Sequence, residues 1–243
     1  MFFLIMVREA VLRKKHTEPN ENRVASRLRD FILGWQDGIV NVLGVILGVA
    51  TATADIKIVL IAAFAAAFAE SISMAAVAYT SFKAEREYYL SEVAREKDEM
   101  KSFPAAEKIE VRTIYRKLGF KGKLLEDIVK HIVSNKKRWL EVMMGQELKL
   151  SEQKTSLLNI TAVIGFSALI GSFIPVIPFF LLPIQTAILA AIIFSASILF
   201  CVGFYKAKTT VGNPIRSGVE MALIGIVAAL AGYAIGTIFG VVI

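Results

Sequence analysis

Long apolar stretches, separated by charged links, run through the whole chain. The first spans Phe31 to Ala54, and after a brief polar link the second spans Ile58 to Thr80. The third, Thr155 to Tyr205, holds no charged residue in 51 positions, and the last runs from Met221 to Ile243. A helix that crosses a bilayer needs about 20 predominantly apolar residues. The pattern therefore predicts an integral membrane protein in which the third stretch is too long for one helix.

Three prolines mark the middle of that third stretch: Pro175, Pro178 and Pro183. Proline removes a backbone donor and interrupts a helix, so a turn is expected there. The stretch then supplies two spans, and the chain has five transmembrane helices. A hydrophobic fraction of 56% and a mean hydropathy of +0.60 are too high for a soluble domain. The expected fold class is all-α.

The second span continues into charged sequence without a Gly, a Pro or a turn cluster, from Ser71 to Met100. This continuity predicts one helix that leaves the bilayer and enters water. The predicted organisation follows as an N-terminal arm over residues 1–29, transmembrane helices 1 and 2 over 30–82, a soluble insert over 83–154, and transmembrane helices 3 to 5 over 155–243.

Positive charge lies on one side of the predicted spans. The arm holds seven Lys and Arg residues, the insert from Lys83 to Lys154 holds 17, and the link from Lys206 to Arg216 holds three, whereas Lys57 lies opposite. The positive-inside rule makes the charged side the cytoplasm and places the C-terminus outside. The net charge of +7 therefore indicates contact with anionic lipid and not with nucleic acid.

Two carboxylates and a thioether lie inside the first two spans. Asp37 and Met74 are each about 10 Å below the cytoplasmic end of their helix, at ~1.5 Å per residue. Glu70 shares the helix face of Met74 one turn deeper. Buried ionisable residues in a span are costly and indicate function, so the three predict a path for a moderately soft divalent cation. Packing would explain Met74 alone, and an interhelical hydrogen bond would explain Asp37.

Glutamates line one face of the helix that extends the second span. Glu92, Glu96 and Glu99 lie at i, i+4 and i+7, so they share a face. Glu107 and Glu110 repeat the spacing just after a proline, where a new helix is predicted. A solvated bundle in which Lys and Arg pair with each glutamate is the alternative, and the spacing alone leaves both open.

Two adjacent methionines precede the third span, in the segment WLEVMMGQELKL. Met143 lies one helical turn from Glu147, with Met144 alongside, and thioethers next to a carboxylate indicate metal ligation. The alternative is a small hydrophobic core with Trp139 and Leu140.

Carboxylates combined with thioethers favour Fe²⁺, Mn²⁺ or Co²⁺. Mg²⁺ and Ca²⁺ prefer oxygen ligands, and Zn²⁺ usually binds His or Cys side chains. The chain has only two histidines and one cysteine. The sequence has no Glu-x-x-His motif of ferritin-like di-iron bundles, and no phosphate loop, nucleophile elbow or zinc-protease motif. We therefore expect neither an enzyme nor a prosthetic group.

The chain resembles the vacuolar iron transporter (nodulin-like) family over residues 30–240. The segments that carry the resemblance are RDFILGWQDGIVN in the first helix, SISM in the second, WLEVMMGQELKL before the third, and FIPVIPFFLLP at the third-to-fourth turn. The resemblance implies a homodimer whose first helices line a cation path, with a three-helix cytoplasmic metal-binding insert. It also implies proton-coupled export of Fe²⁺ from the cytosol.

By matching position, the resemblance implies Asp37 and Met74 as metal ligands in the membrane. In the insert it implies the ligands Glu96, Glu99, Glu107, Glu110, Met143, Met144 and Glu147. Weaker candidates are Glu70, Glu92 and Asp30, of which the last matches an acidic position at the helix entrance. The implied cargo is Fe²⁺, or else Mn²⁺, Co²⁺ or Zn²⁺. The implied partners are these ions, protons, the lipid bilayer and a second copy of the chain.

Two positions depart from the family pattern. Relatives often carry an acidic residue on the second helix near Ala66, or just before the tyrosine that aligns with Tyr79, where this chain has Ala78. Glu70 stands where a small residue is usual. We therefore predict that Glu70 takes over the role of the proton or metal carboxylate.

The sequence as a whole predicts proton-coupled transport of Fe²⁺ or Mn²⁺ out of the cytoplasm. The host would be the cell membrane of a prokaryote or a vacuolar-type membrane of a eukaryote. The alternative is a membrane-anchored metal sensor or buffer, whose spans only hold and dimerise the insert. Asp37 and Glu70 disfavour it, because an anchor has no reason to bury carboxylates.

Overall fold

The computed structural model describes residues 21–151, 156–209 and 212–240, with side chains from Leu28 onwards. Within these residues every regular element is helical, as predicted. In chain order the helices are α1 Glu21–Thr53, α2 Ile56–Ser102, α3 Pro104–Lys117, α4 Gly122–Val133, α5 Lys136–Val142, α6 Leu157–Phe173, α7 Ile177–Leu181, α8 Ile184–Thr209 and α9 Pro214–Gly240. A π-helical turn, Met143–Glu147, follows α5. Of the predicted N-terminal arm, residues 1–20 lie outside the described residues, and 21–29 begin α1.

Four of the described helices are long and apolar enough to cross a membrane: α1 from Leu28, α2, α8 and α9. The apolar α6 has 17 residues and is about 25 Å long at ~1.5 Å per residue, which is a little shorter than the ~30 Å hydrocarbon core. The predicted total of five spans, with α6 as the fifth, stays a prediction.

The prolines divide the long apolar stretch as expected. α6 ends at Phe173, two residues before Pro175, and α8 begins directly after Pro183. The last helix begins earlier than its hydropathy suggested, at Pro214 and not at Met221. Proline is favourable at a first helical position, and the Asn213 side chain accepts a hydrogen bond from the Arg216 amide at 3.1 Å. Local capping therefore starts α9 before its apolar stretch.

α2 is one continuous helix of 47 residues, which confirms that the second span extends into the charged sequence. At its start the Asp55 carboxylate accepts a hydrogen bond from the Lys57 amide at 2.7 Å, as an N-cap does. At its end Ser102 is followed by Phe103 and Pro104, and proline disfavours helix in the residue before it.

The chain divides into two compact units, one of residues up to Ala78 and from Leu158, and one from Tyr79 to Leu157. We call the first the membrane unit and the second the insert. In the membrane unit, large side chains of α1 pack against small ones of α2 and α8. Fully buried members of this core include Val42, Leu43, Ile46, Leu47, Ala63, Ala67, Ala187 and Ala191. Large apolar side chains also point outwards, among them Ile61, Ile72, Phe166, Leu189 and Val227. An apolar exterior of this kind suits a lipid solvent.

Glycines allow α1 and α9 to approach closely. A Cβ atom on Gly232 would overlap the carbonyl oxygen of Gly44, and one on Gly236 would overlap that of Gly48. Small residues at four-residue spacing permit such backbone contact between membrane helices.

Replacing Gly232 with alanine is expected to destabilise the membrane unit by about 1–3 kcal/mol, because the new methyl group meets backbone that cannot move aside. Thermal unfolding of the full chain in detergent measures this effect. Gly44→Ala is the matched control, since its Cβ would lie 3.5 Å from the nearest atom, the Ala228 oxygen. Equal melting temperatures for the two variants would contradict the close contact.

The insert consists of the charged end of α2 followed by α3, α4, α5 and the π-helical turn. Its apolar core contains Val111, Leu125, Val129, Ile132, Trp139 and Met143. Arg112 of α3 donates two hydrogen bonds to the Glu126 carboxylate of α4, at 2.8 and 2.7 Å. This bidentate ion pair holds the register of the two helices and lowers the pKa of Glu126.

Candidate metal centre

Three glutamates from two helices meet in the insert. Glu96 and Glu99 lie on one face of α2, and Glu107 lies in the first turn of α3. One carboxylate oxygen of each lies within 4.8 Å of the other two. The turn at Phe103 and Pro104 makes this possible because it brings the start of α3 back beside the end of α2. We call these three residues the carboxylate cluster.

Two members of the carboxylate cluster are withdrawn from water, whereas the side chain of Glu99 is 35% exposed. Glu96 is 2% exposed and Glu107 is 4% exposed. Oε1 of Glu96 and Oε2 of Glu107 are buried without a hydrogen-bond partner. Burying a carboxylate oxygen without compensation is costly. The unpaired oxygens are thus donors that a cation would fit, and hard oxygen donors suit Fe²⁺ and Mn²⁺.

Burial and mutual repulsion favour the protonated forms of Glu96 and Glu107. Burial, a hydrogen bond with Glu107 and the charges of Glu107, Glu147 and Glu99 raise the pKa of Glu96 to about 8. Burial also raises the pKa of Glu107, although its hydrogen bond with Glu96 acts in the opposite direction. A hydrogen bond between these two carboxyl groups requires a proton on one of them, and the raised pKa values of both favour that proton. A metal ion that binds here must displace the proton of Glu96.

Glu110 and Glu147 lie beside the carboxylate cluster, nearer to water. Both residues are exposed, and their side chains form a hydrogen bond. Loss of hydration and the charges of Glu110 and Glu107 raise the pKa of Glu147 to about 7. The structure therefore brings all five predicted insert glutamates into one electrostatically coupled group.

Without metal, the insert is expected to lose stability as the pH rises from about 5 to 8. The pKa of Glu96 rises from 4.5 to about 8 on folding. In that window the unfolded chain has released the proton while the folded insert still holds it, so folding becomes less favourable as pH increases. Hydrogen-exchange protection factors in α3 and α4, measured with a chelator present, should therefore decrease as the pH is raised through this window. Protection that increases through this window would show that Glu96 is ionised in the folded insert.

An arginine pairs with the glutamates at the edge of the α2 face. Arg95 contacts Glu92 at 2.7 Å and Glu99 at 2.9 Å. For Glu92 this is the ion pairing expected of a solvated bundle, and Glu92 is not part of the carboxylate cluster. Asp30 likewise pairs with Arg29, at 3.2 Å. Sequence reasoning missed Arg95, although its i+3 and i−4 spacings from Glu92 and Glu99 would have identified it.

The two methionines are buried near the end of the insert. Met143 is fully buried and belongs to the apolar core with Trp139, which is the packing alternative to ligation. Met144 is 4% exposed. The π-helical turn shifts the register here, because the Leu148 amide donates to the Met143 carbonyl at 3.1 Å. Such turns are frequent at functional sites. The role of both sulfur atoms as ligands stays a prediction.

In the membrane unit the structure brings together Asp37, Glu70 and an unpredicted residue, Asn41. The side chain of Glu70 forms hydrogen bonds with those of Asp37 and Asn41. A hydrogen bond between two carboxyl groups requires that one of them carry a proton. Asn41 lies four residues after Asp37, so it shares the same face of α1. A polar residue at that spacing in an apolar helix was the signal for it. Met74 is partly buried and lies one turn after Glu70.

A family model described as the VIT family matches residues 28–237. The chain is 31% identical over 213 residues to vacuolar iron transporter 1 of Arabidopsis thaliana, covering 87% of this chain and 85% of that protein. It is 30% identical over 227 residues to the vacuolar iron transporter of Centaurea cyanus, covering 93% and 92%. It is 29% identical over 235 residues to that of Plasmodium falciparum, covering 92% and 86%.

Proposed function

The chain belongs to the VIT family, and on that basis we propose that it carries Fe²⁺ across a membrane, out of the cytoplasm and in exchange for protons. Its relatives are named vacuolar iron transporters, and these names support metal transport as the function. The proposal assigns the chain no enzymatic reaction.

The observation that carries the proposal is the carboxylate cluster. Three oxygens lie within 4.8 Å of one another, and two carboxylate oxygens are buried without a partner. Protons occupy this site at neutral pH, since the pKa of Glu96 is about 8. A divalent cation would replace that proton and supply the missing partner for the oxygens. Metal capture by the insert therefore releases a proton on the side that the insert faces, and the proposal assigns the exchange across the membrane to the carboxylates of the membrane unit.

The membrane unit offers a second site of the same kind. The side chains of Asp37 and Glu70 are within hydrogen-bond contact, and two carboxyl groups can form such a bond when they hold one proton between them. A metal ion that reaches this pair competes with that proton for the same oxygens. The thioether of Met74, one turn away on α2, would add a soft donor that favours Fe²⁺ over Mg²⁺ and Ca²⁺. Mn²⁺ is the alternative cargo, because carboxylates bind it well. The thioether of Met74 is the feature that favours Fe²⁺ over Mn²⁺.

A second copy of the chain is part of the proposal. Ala65, Ala69 and Ser73 are exposed and lie at four-residue spacing on α2. Small residues at this spacing support close helix contact in lipid, so this face is the proposed dimer contact. The N-terminal arm and the insert would face the cytoplasm. The host would be a vacuolar-type membrane in a eukaryote or the cell membrane in a prokaryote.

A sensor or buffer would need the insert alone and has no use for the Asp37–Glu70 pair in the membrane. Accumulation of radioactive Fe²⁺ by liposomes that contain the full chain separates the two functions. A transporter delivers many ions per chain into the lumen, in a form released only when the vesicles are lysed. A buffer saturates at the few ions that its ligands hold, and that result would overturn the transporter proposal.

A further inference from the structure

The insert contains a cavity of about 700 Å³ whose lining includes no acidic residue. Its lining combines four lysines with apolar side chains, chiefly Lys97, Lys101, Lys136, Lys137, Met100 and Trp139. Two of the lysines lie one turn apart near the end of α2, and the other two begin α5. Basic side chains from two separate helices therefore converge on one apolar surface.

The lysines of this cavity carry little compensating charge. Lys137 lies 3.9 Å from Glu141, and both side chains are largely exposed, so this pair contributes little. Among the residues that the structure describes, Lys97, Lys101 and Lys136 form no ion pair. Like charges held together repel one another, and a bound anion would relieve this repulsion.

The apolar side of the cavity is formed by Trp139, Met100 and Leu140. Trp139 is 8% exposed, and its Nε1 is buried without a hydrogen-bond partner. A buried indole usually finds a partner for its N–H group. Trp139, although mostly buried in the insert core, lines the cavity together with Met100, and Met100 offers an adaptable thioether for the apolar part of a ligand.

We propose that this cavity binds a phosphate-bearing molecule, with its phosphate on the lysines and its apolar part on Trp139 and Met100. Lysine ammonium groups bind phosphate as point charges. The volume lies within the roughly 300–1,000 Å³ that is typical of small-molecule sites, which is more than inorganic phosphate alone would fill. Two sources share this chemistry: the headgroup region of an anionic phospholipid, and a soluble nucleotide. The site is separate from the carboxylate cluster, so the proposal goes beyond metal transport.

The fluorescence of Trp139 can report binding to this cavity. The chain has two tryptophans, so Trp35→Phe leaves Trp139 as the only indole. The full-length variant is placed in phosphatidylcholine nanodiscs and titrated with ATP. In a second arm the discs contain increasing fractions of phosphatidylinositol 4-phosphate. Calorimetric titration of the unsubstituted chain with ATP, and its melting temperature in both disc types, repeat the test if Trp35→Phe does not fold.

The proposal predicts a saturable change in Trp139 fluorescence in at least one arm. A change with ATP assigns the site to soluble phosphates, a change with the phosphoinositide assigns it to lipid, and a change with both supports the shared chemistry. The double variant Lys97→Gln and Lys136→Gln should weaken binding roughly tenfold or more, because it removes a charge from each helix. No saturable response in either arm would overturn the proposal.

A second double variant controls for net charge. Lys123→Gln and Lys130→Gln remove two exposed lysines of α4 that do not line the cavity. Their binding should stay within about twofold of wild type, because distant surface charges are screened by salt. An equal loss in both double variants would overturn the proposal, since it would show a general attraction of anions to the insert. Mn²⁺ titration of the same variants should be unchanged, which separates this site from the metal site.

Discussion

Replacing Glu96 with glutamine is expected to weaken metal binding by the insert by roughly a hundredfold or more, because even second-layer changes at metal sites cost 10–100-fold. Glu96 is the most buried member of the carboxylate cluster and is hydrogen-bonded to Glu107. The amide keeps the shape of the side chain but removes its charge and one ligand oxygen. Calorimetric titration of the full chain with Mn²⁺, which does not oxidise in air as Fe²⁺ does, gives the affinity.

Glu92→Gln is the matched control for this variant. Glu92 lies one turn earlier on the same helix and pairs with Arg95 at 2.7 Å. We expect its substitution to change metal affinity by less than about threefold, because its partner Arg95 is solvent-exposed and already neutralises its charge. Glu96→Gln should also flatten the pH dependence of insert stability without metal while α3 and α4 stay protected from exchange, whereas a misfolded variant would lose that protection at every pH. If both variants bound Mn²⁺ as tightly as wild type, the metal centre would lie elsewhere.

Replacing Glu70 with glutamine is expected to reduce Fe²⁺ flux at least roughly tenfold and to make the remaining flux independent of the pH gradient. Glu70 forms hydrogen bonds with Asp37 and Asn41. The glutamine can still form a hydrogen bond, but it can neither release a proton nor bind metal as a carboxylate. Coupling between proton and metal at this pair should therefore fail even if the helices pack normally. Stopped-flow uptake into proteoliposomes, with and without an imposed gradient, measures both effects.

Glu220→Gln is the matched control for Glu70→Gln, because it also removes one glutamate from the membrane unit. Glu220 lies near the start of α9, is exposed, and pairs with Arg216 at 2.9 Å. Its substitution should leave both the flux and its pH dependence unchanged. Wild-type flux and coupling in Glu70→Gln would show that Glu70 is only a packing residue on α2.

Hydropathy and helix breakers were enough to predict much of the fold. The turn between Phe173 and Ile184 follows from its prolines, and the 47-residue length of α2 follows from the lack of any breaker. Hydropathy alone does not give the start of α9, because the helix begins at Pro214 and the apolar pattern only at Met221. The local signals that start the helix, an Asn cap and a proline at the first position, are independent of hydropathy.

The candidate site was predictable residue by residue but not as an arrangement. Helical spacing places Glu96 and Glu99 on one face, yet it cannot show that Glu107 returns to within 4.8 Å of them. That depends on the direction in which α3 leaves the turn, which packing decides. Helical spacing also places Glu92 and Glu96 on the same face, so it does not distinguish the two residues. The pairing of Arg95 with Glu92 could have been inferred from their spacing, whereas only the tertiary structure shows that Glu96 is buried away from water.

Fe²⁺ uptake into proteoliposomes with an acidic interior, compared for wild type and Asp37→Ala, tests the central claim most directly. The account predicts rapid uptake by wild type that depends on the gradient and disappears in Asp37→Ala, while Mn²⁺ binding by the insert of that variant is unchanged. Gradient-dependent uptake that survives in Asp37→Ala would remove the Asp37–Glu70 pair from the path. Metal binding by the insert without flux under any gradient would identify the protein as a membrane-anchored buffer or sensor.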